Sequence, residues 1–162
     1  MFRCTLPVLV LSVSGLAQSS PPGACPLNAA QIGPALGVAV LEAKPGLRLD
    51  MGGSTLQDCR YKLKLDRREF TLMLKTTTYN RSVDPQQHYQ ALAGRLTPVP
   101  NDPDQARLQE GQGDLTSPAV HYFRRGVGVE LRLLGTYYQD LKPTESEFSA
   151  WGRKLLALPR IP

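Results

Sequence analysis

The stretch CRYKLKLDRREFTLMLKTTTY (residues 59–79) has the clearest structural pattern in the chain, because apolar and polar residues alternate along it on both sides of a short polar turn. A period of two with aromatic and β-branched content is typical of strands that bury one face. Residues 59–65 and 69–79 are therefore predicted to form a β-hairpin with 66–68 as its turn. One face of this hairpin is apolar, and the other carries several basic side chains.

The composition is that of a globular protein that can bury a core. Hydrophobic residues make up 41% of the 162 residues and charged residues 20%, which excludes a disordered chain. The length fits one domain of ordinary size. With 19 Lys and Arg against 14 Asp and Glu, the formal net charge is +5, so the chain is suited to anionic partners.

The N-terminal residues are typical of a secretory signal peptide. Met1-Phe2-Arg3 supplies a positive start, the following run to Ala17 is uncharged, and Ala17 and Ser19 are small residues two apart. The apolar run is shorter than the roughly 20 residues that span a bilayer. We therefore expect cleavage after Ala17 or Ser19, no transmembrane segment after it, and a secreted or periplasmic location.

Removal of the signal peptide also removes Cys4 and leaves Cys25 and Cys59. An even number of cysteines in an exported chain favours a disulfide, here between residues 34 positions apart. Two free buried thiols are the alternative. The predicted organisation is a signal peptide (residues 1–19), a linker (20–26) and a single domain (27–162). This domain contains a long loop at residues 97–118.

Capping residues place three helices. Asn28 and Gln31 begin the first, which Gly37 ends; Asp84 begins the second, over 85–96; and Thr144 with Glu147 begins the third. Four further strands are predicted at 38–41, 47–51, 119–125 and 127–138. Because paired strands alternate with helices, the predicted class is α+β, an antiparallel sheet of two hairpins with the helices packed on one face, in the order αββαββα.

At this level the chain resembles small exported or lipid-anchored bacterial proteins of unknown function. These proteins open with Cys-x-Leu before a helix that ends in Leu-Gly, and they place a second cysteine on the first long strand before an aromatic residue. The matching residues here are Cys25, Leu27, Leu36-Gly37, Cys59 and Tyr61. The resemblance implies an envelope location and a disulfide between the two cysteines, and it implies no reaction. This chain lacks the lipid-attachment motif of the lipid-anchored members.

No motif in the sequence indicates catalysis, a cofactor or a metal. His88 and His121 belong to neither a His-x-His nor a His-Glu-x-x-His spacing, so neither has partners at zinc-ligand spacing. Ser54 follows two glycines but lacks the strand–turn–helix context of a nucleophile elbow. Cys25 and Cys59 do not form a Cys-x-x-Cys pair, so thiol exchange is not expected.

The arrangement of basic residues is the feature of the sequence that suggests a function. If the sheet forms as predicted, five basic residues share the face that carries no helix: Arg60, Lys62, Lys64, Lys75 and Arg132. Such a face can gather an anionic envelope polymer or lipid head groups. Nucleic acid is not expected, because the aromatic residues that single strands stack on point into the core. The commoner explanation of the pattern is a solvated face that keeps an open sheet soluble, and Glu130 interrupts the patch.

The leading hypothesis is a non-enzymatic binding or envelope-associated module with a basic sheet face. A small secreted hydrolase is the alternative, with its site on the long loop and carboxylates available for acid–base work. These carboxylates are Asp102, Asp104, Glu110 and Asp114. An assembly component is the third hypothesis, with an apolar interface formed by Tyr137-Tyr138 and the final helix.

Overall fold

In the computed structural model, residues 23–80, 83–94, 96–109, 117–135 and 145–161 are described. Within these residues, seven strands form one antiparallel sheet with three helices around it. The elements in chain order are α1 (Ala29–Leu36), β1 (Ala39–Asp50), β2 (Ser54–Leu65), β3 (Arg68–Tyr79), α2 (Pro85–Ala93), β4 (Thr97–Pro98), β5 (Arg107–Gln109), β6 (Ala119–Arg124), β7 (Val127–Leu134) and α3 (Glu145–Leu156).

The sheet consists of two meanders, β1–β2–β3 and β4–β5–β6–β7, which meet in the middle. The strand order is β1-β2-β3-β7-β6-β5-β4, so α2 and β4–β6 intervene in the chain between the two central strands. Leu72 of β3 lies opposite Leu133 of β7, and Leu74 lies opposite Leu131. All four leucines are buried. Apolar side chains therefore join the two meanders at the centre of the sheet.

One face of the sheet, here called the core face, packs against α1 and α3. The predicted hairpin is confirmed, but its turn is Asp66-Arg67 and not residues 66–68, because Arg68 pairs with Leu65 and already belongs to β3. Ile32 and Leu36 of α1 and Leu155 of α3 are buried over this face, and the ring of Trp151 meets that of Phe70 edge-on at 5.5 Å. The core-face side chains of the long strands are Cys59, Tyr61, Leu63, Phe70, Leu72, Leu74, Val120, Tyr122, Val129, Leu131 and Leu133.

The prediction that all helices pack on one face is wrong, because α2 lies on the opposite face. Tyr122 belongs to the core, so its neighbour Phe123 points to the other side of the sheet. The ring of Tyr89 in α2 stacks on that of Phe123 with centroids 5.6 Å apart, and His88 meets Tyr79 at 5.1 Å. We call this side of the sheet the outer face. A helix's own pattern shows which of its residues are buried, but it does not show which face of a sheet they cover.

The predicted two-hairpin order αββαββα is also wrong, because the sheet has seven described strands. The segments 38–41 and 47–51 are parts of one strand, β1, which shifts register against β2 between Val40 and Glu42 and again between Pro45 and Arg48. The pair Pro45-Gly46, interpreted as a turn, lies at the second shift. Short strands β4 and β5 pair within the segment predicted to be a loop, and strands of two or three residues are too short to show periodicity.

Local capping chemistry was predicted correctly for α1. The Asn28 side chain accepts a hydrogen bond from the Gln31 backbone N–H at 3.0 Å, and the Asn28 N–H donates to the Gln31 side chain at 2.9 Å. Gly37 ends the helix with φ +70°, a left-handed conformation that favours glycine. Asp84 caps α2 as predicted, although that helix ends at Ala93. The predicted signal peptide, Tyr137-Tyr138 and the Thr144 cap lie outside the described residues.

Two buried tyrosines and the disulfide attach the ends of the described chain to the core face. Cys25 and Cys59 form the predicted disulfide, with Cα atoms 5.6 Å apart. The hydroxyl of Tyr61 accepts a hydrogen bond from the Leu27 N–H at 3.1 Å; burial raises the pKa of Tyr61 to about 12. At the other end, the hydroxyl of Tyr122 accepts from the Ile161 N–H at 3.1 Å. Each tyrosine thereby satisfies a buried backbone donor.

Candidate functional site

All five predicted basic residues lie on the outer face, but in two separate groups. Arg60, Lys62 and Lys64 alternate with buried residues of β2. Lys75 of β3 lies opposite Glu130, and Arg132 of β7 lies opposite Met73, so both are near the middle of the sheet. The alternation of the sequence therefore predicts the face correctly. The separation into two groups follows from the order of the strands in the sheet.

A groove of about 930 Å³ crosses the outer face beside the first group. It runs from the edge strand β1 over β2 and β3 to the end of β7. Its lining combines basic, acidic and apolar side chains. The lining residues are Glu42, Lys44, Pro45, Gly46, Leu47, Arg60, Lys62, Glu69, Phe70, Thr71, Leu134 and Gly135. Two of the predicted residues, Arg60 and Lys62, thus contribute to a concave surface, which is the usual form of a ligand site.

The carboxylate of Asp58 holds the irregular part of β1 against β2. Asp58 is buried, and its Oδ1 accepts a hydrogen bond from the Leu47 N–H at 2.7 Å. A Cβ on Gly46 would lie 1.6 Å from the same oxygen, so only glycine fits there. The guanidinium of Arg60 lies 3.5 Å from the other carboxylate oxygen. Asp58 therefore positions both Leu47 and Arg60 at the groove. Sequence analysis did not select it, because its partner Gly46 was assigned to a turn.

The basic residues of the groove have acidic neighbours. The Lys44 ammonium lies 2.8 Å from Glu42, and the Lys62 ammonium lies 2.7 Å from Glu69. The hydrogen bond between Lys62 and Glu69, followed by their charge interaction, raises the pKa of Lys62 and lowers that of Glu69. Both pairs are solvent-exposed, and such pairs are weak and are screened by salt. An anionic ligand can therefore compete with Glu42 and Glu69 for the two lysines.

The second basic group neutralises a buried carboxylate. Glu130 of β7 is 6% exposed; it is paired with the Lys75 ammonium, and the Nε of Arg132 lies 2.6 Å from its Oε1. Burial is the largest single influence and raises the pKa of Glu130, but the hydrogen bonds from Lys75 and Arg132, together with the charges of His121 and Lys75, make the net shift downward. Lys75 and Arg132 are thus committed to a structural ion cluster, and they are poorly placed to bind a ligand at the groove.

His121 lies next to this cluster on β6. It is opposite Glu130 on one side and Arg107 on the other. Burial lowers the pKa of His121, and the charges of Arg132 and Lys75 act in the same direction, whereas Glu130 opposes them. The described residues contain no group of three or more potential metal ligands. His121 is thus a largely buried imidazole beside an ion cluster, in surroundings that disfavour its protonated form.

His121 is expected to make the protein sensitive to acid. Because its pKa is lower in the folded chain than the unfolded value of about 6.5, protons bind preferentially to the unfolded chain as the pH falls below that value. The free energy of unfolding should therefore be highest above about pH 6.5 and decrease toward about pH 5, and the His121→Gln variant should show a shallower decrease. Urea unfolding across this range measures both slopes.

The His88→Gln variant is the matched control for this experiment, because His88 is exposed on α2. It should retain the wild-type slope. Keeping the pH above about 5 separates the effect of His121 from that of Glu130, whose stabilising charge is lost only on further acidification. Equal slopes for the His121→Gln variant and the wild type would show that another group causes the acid sensitivity.

The carboxylates of the predicted loop have structural partners. Asp102 Oδ1 accepts hydrogen bonds from the N–H groups of Asp104 and Ala106, and its Oδ2 lies 2.6 Å from the Arg160 guanidinium. Asp104 lies 3.9 Å from both Arg124 and Arg160. These contacts attach the C-terminal segment to the sheet. The other two carboxylates proposed for a hydrolase, Glu110 and Asp114, lie outside the described residues.

Comparison with known proteins adds no relative: no protein-family model matches the chain, and no curated protein or solved structure matches it either. None of the described helices is long and apolar enough to cross a membrane.

Proposed function

We propose that this protein is an exported, non-enzymatic binding module that holds an anionic ligand in the groove of the outer face. The observation that carries the proposal is the grouping of Lys44, Arg60 and Lys62 around one concave surface of about 930 Å³. Each of these cations lies beside a carboxylate, but Glu42 and Glu69 are exposed, so an anionic ligand can take their place at Lys44 and Lys62.

Export is supported by two independent features. The N-terminal residues have the three-part pattern of a signal peptide. Cys25 and Cys59 are joined in a disulfide, and structural disulfides are typical of proteins from oxidising compartments. The ligand of the module would then lie outside the cytoplasm, as an anionic polymer or lipid head group of the cell envelope does.

Salt-dependent retention on dextran sulfate tests the binding proposal. We expect the wild-type protein to be retained at low salt, because binding releases counterions from the polymer. The double variant Lys44→Glu, Lys62→Glu should bind at least about tenfold more weakly, and the slope of log K against log salt should fall by about 2. The protein is taken from the exported fraction, where its intact mass also shows whether residues 1–17 or 1–19 have been removed.

The matched control is the double variant Arg125→Glu, Arg153→Glu, which changes the net charge equally. Arg125 is exposed at the β6–β7 turn and Arg153 is exposed on α3, both away from the groove. If the two double variants lose the same affinity, overall charge drives retention and the groove is a solvated face. If wild-type protein is not retained at low salt, the outer face has no anion-binding role.

A further inference from the structure

The edge strand β1 carries a group of exposed apolar side chains. Among the described residues, the large hydrophobic side chains that remain exposed are Leu41 at 48%, Leu47 at 53%, Leu49 at 42% and Met51 at 55%. All four lie within eleven consecutive residues at one edge of the sheet. Single exposed leucines are ordinary, but a contiguous group of them indicates an interaction surface. We call these four residues the β1 apolar edge.

The three-strand meander that contains this edge carries a net positive charge, although β1 itself has two basic and two acidic residues. Residues 39–79, which form β1 to β3, contain eight Lys and Arg against five Asp and Glu. This segment therefore holds three of the five net positive charges of the whole chain. Lys44 and Arg48 lie among the exposed leucines of β1, and Arg60 and Lys62 lie on the adjacent strand. Each of these cations is within 4 Å of a carboxylate, that of Glu42, Asp50, Asp58 or Glu69. The β1 apolar edge is thus bordered by cations that can approach phosphate groups.

A second copy of the chain is a poor occupant for this edge. Register shifts interrupt β1 twice, and Pro45 lacks a backbone N–H between them. Both features discourage edge-to-edge strand pairing. The apolar groups and the cations both point instead to an occupant that is apolar and anionic.

We propose that the β1 apolar edge rests on an anionic lipid surface. The leucines and Met51 enter the interface between head groups and acyl chains, while Lys44, Arg48, Arg60 and Lys62 lie near the lipid phosphates. Apolar insertion and charge attraction together are the two contributions that hold peripheral proteins on membranes. This inference rests on the proposed function, since it identifies the anion of the outer face as a lipid head group.

Co-sedimentation with lipid vesicles tests the inference on the exported, disulfide-bonded protein. Vesicles of phosphatidylcholine alone are compared with vesicles that also contain phosphatidylglycerol. We expect binding to the anionic vesicles only. The double variant Leu47→Ser, Leu49→Ser should bind them at least about tenfold more weakly, because two apolar side chains no longer leave water. The double variant Leu47→Ile, Leu49→Ile keeps the apolar surface and should bind like the wild type.

The outcomes separate this inference from the proposed function. Retention on dextran sulfate without binding to anionic vesicles would overturn the lipid inference and leave the binding module intact. Unchanged vesicle binding by the serine variant, with a native circular dichroism spectrum, would also overturn it. A wild-type dimer that the serine variant loses, seen by light scattering without vesicles, would assign the β1 apolar edge to self-association instead. Failure on both dextran sulfate and vesicles would overturn both proposals.

Discussion

Replacing Cys25 and Cys59 together by alanine is expected to lower the free energy of unfolding by about 2–4 kcal/mol. The disulfide closes a loop between residues 34 positions apart, and a loop of that size restricts the unfolded chain by roughly 3–4 kcal/mol in the chain-entropy model. It also attaches the segment before α1 to the middle of β2, next to the Tyr61–Leu27 hydrogen bond. Equilibrium unfolding in urea measures the difference.

Two controls separate the covalent bond from side-chain packing. Cys59 is 1% exposed, so the alanine at this position removes some core contacts as well. Wild-type protein unfolded in the presence of a reductant keeps both sulfur atoms and should lose most of the same stability. If the reduced wild type and the double variant are both as stable as the oxidised protein, the disulfide does not stabilise the native fold.

Replacing Leu131 by alanine is expected to cost about 2–5 kcal/mol of unfolding free energy, the usual range for a buried leucine. Leu131 of β7 is 2% exposed and lies between Leu74 of β3 and Val120 of β6. It therefore packs where the two meanders meet. Denaturant unfolding, fitted with one m-value for both proteins, measures the change in the free energy of unfolding.

Leu134→Ala is the matched control, because Leu134 lies three residues along the same strand, is only partly buried and lines the groove. Its replacement should cost less than about 1 kcal/mol, since partly exposed positions leave smaller cavities. A Leu131→Ala variant as stable as the Leu134→Ala variant would contradict the assignment of the β3–β7 junction as the centre of the core.

The parts of the fold that were predicted correctly depend on neighbours in the sequence. The β2–β3 hairpin follows from alternation along two adjacent strands that a short polar turn joins. The beginning and end of α1 follow from the capping box of Asn28 and Gln31 and from Gly37. The pairing of Cys25 with Cys59 follows from the small number of cysteines left once the signal peptide is set aside. In each case the relevant physical interaction is either local or has few possible partners.

The parts that were wrong depend on contacts between distant segments. β1 is half of a long hairpin, but its alternation is broken by two register shifts, and its leucines face solvent. β5 forms by pairing with the edge of β6, and β4 forms by pairing with β5. Strands of two or three residues have no sequence pattern of their own. The side of the sheet that α2 covers depends on its contacts with Tyr79 of β3 and Phe123 of β6. Neither residue belongs to α2, so the pattern of α2 alone does not show which side it covers.

The candidate site divides in the same way. Alternation placed five basic residues on one face, because side chains of a strand point to opposite sides in turn. It could not show that Lys75 and Arg132 both form ion pairs with Glu130. Nor could it show that Lys44 and Leu47 line the same groove as Arg60 and Lys62. These groupings depend on which strands are adjacent and on their register.

Residue spacing along single segments therefore predicts the β2–β3 hairpin, the capping of α1 and the face that carries the positive charge, and the cysteine count predicts the disulfide. The seven-strand order, the position of α2, the ion cluster around Glu130 and the groove beside β1 depend on contacts between segments. Those features arise where segments up to dozens of residues apart compete to bury the same apolar surface and to satisfy the same buried charges.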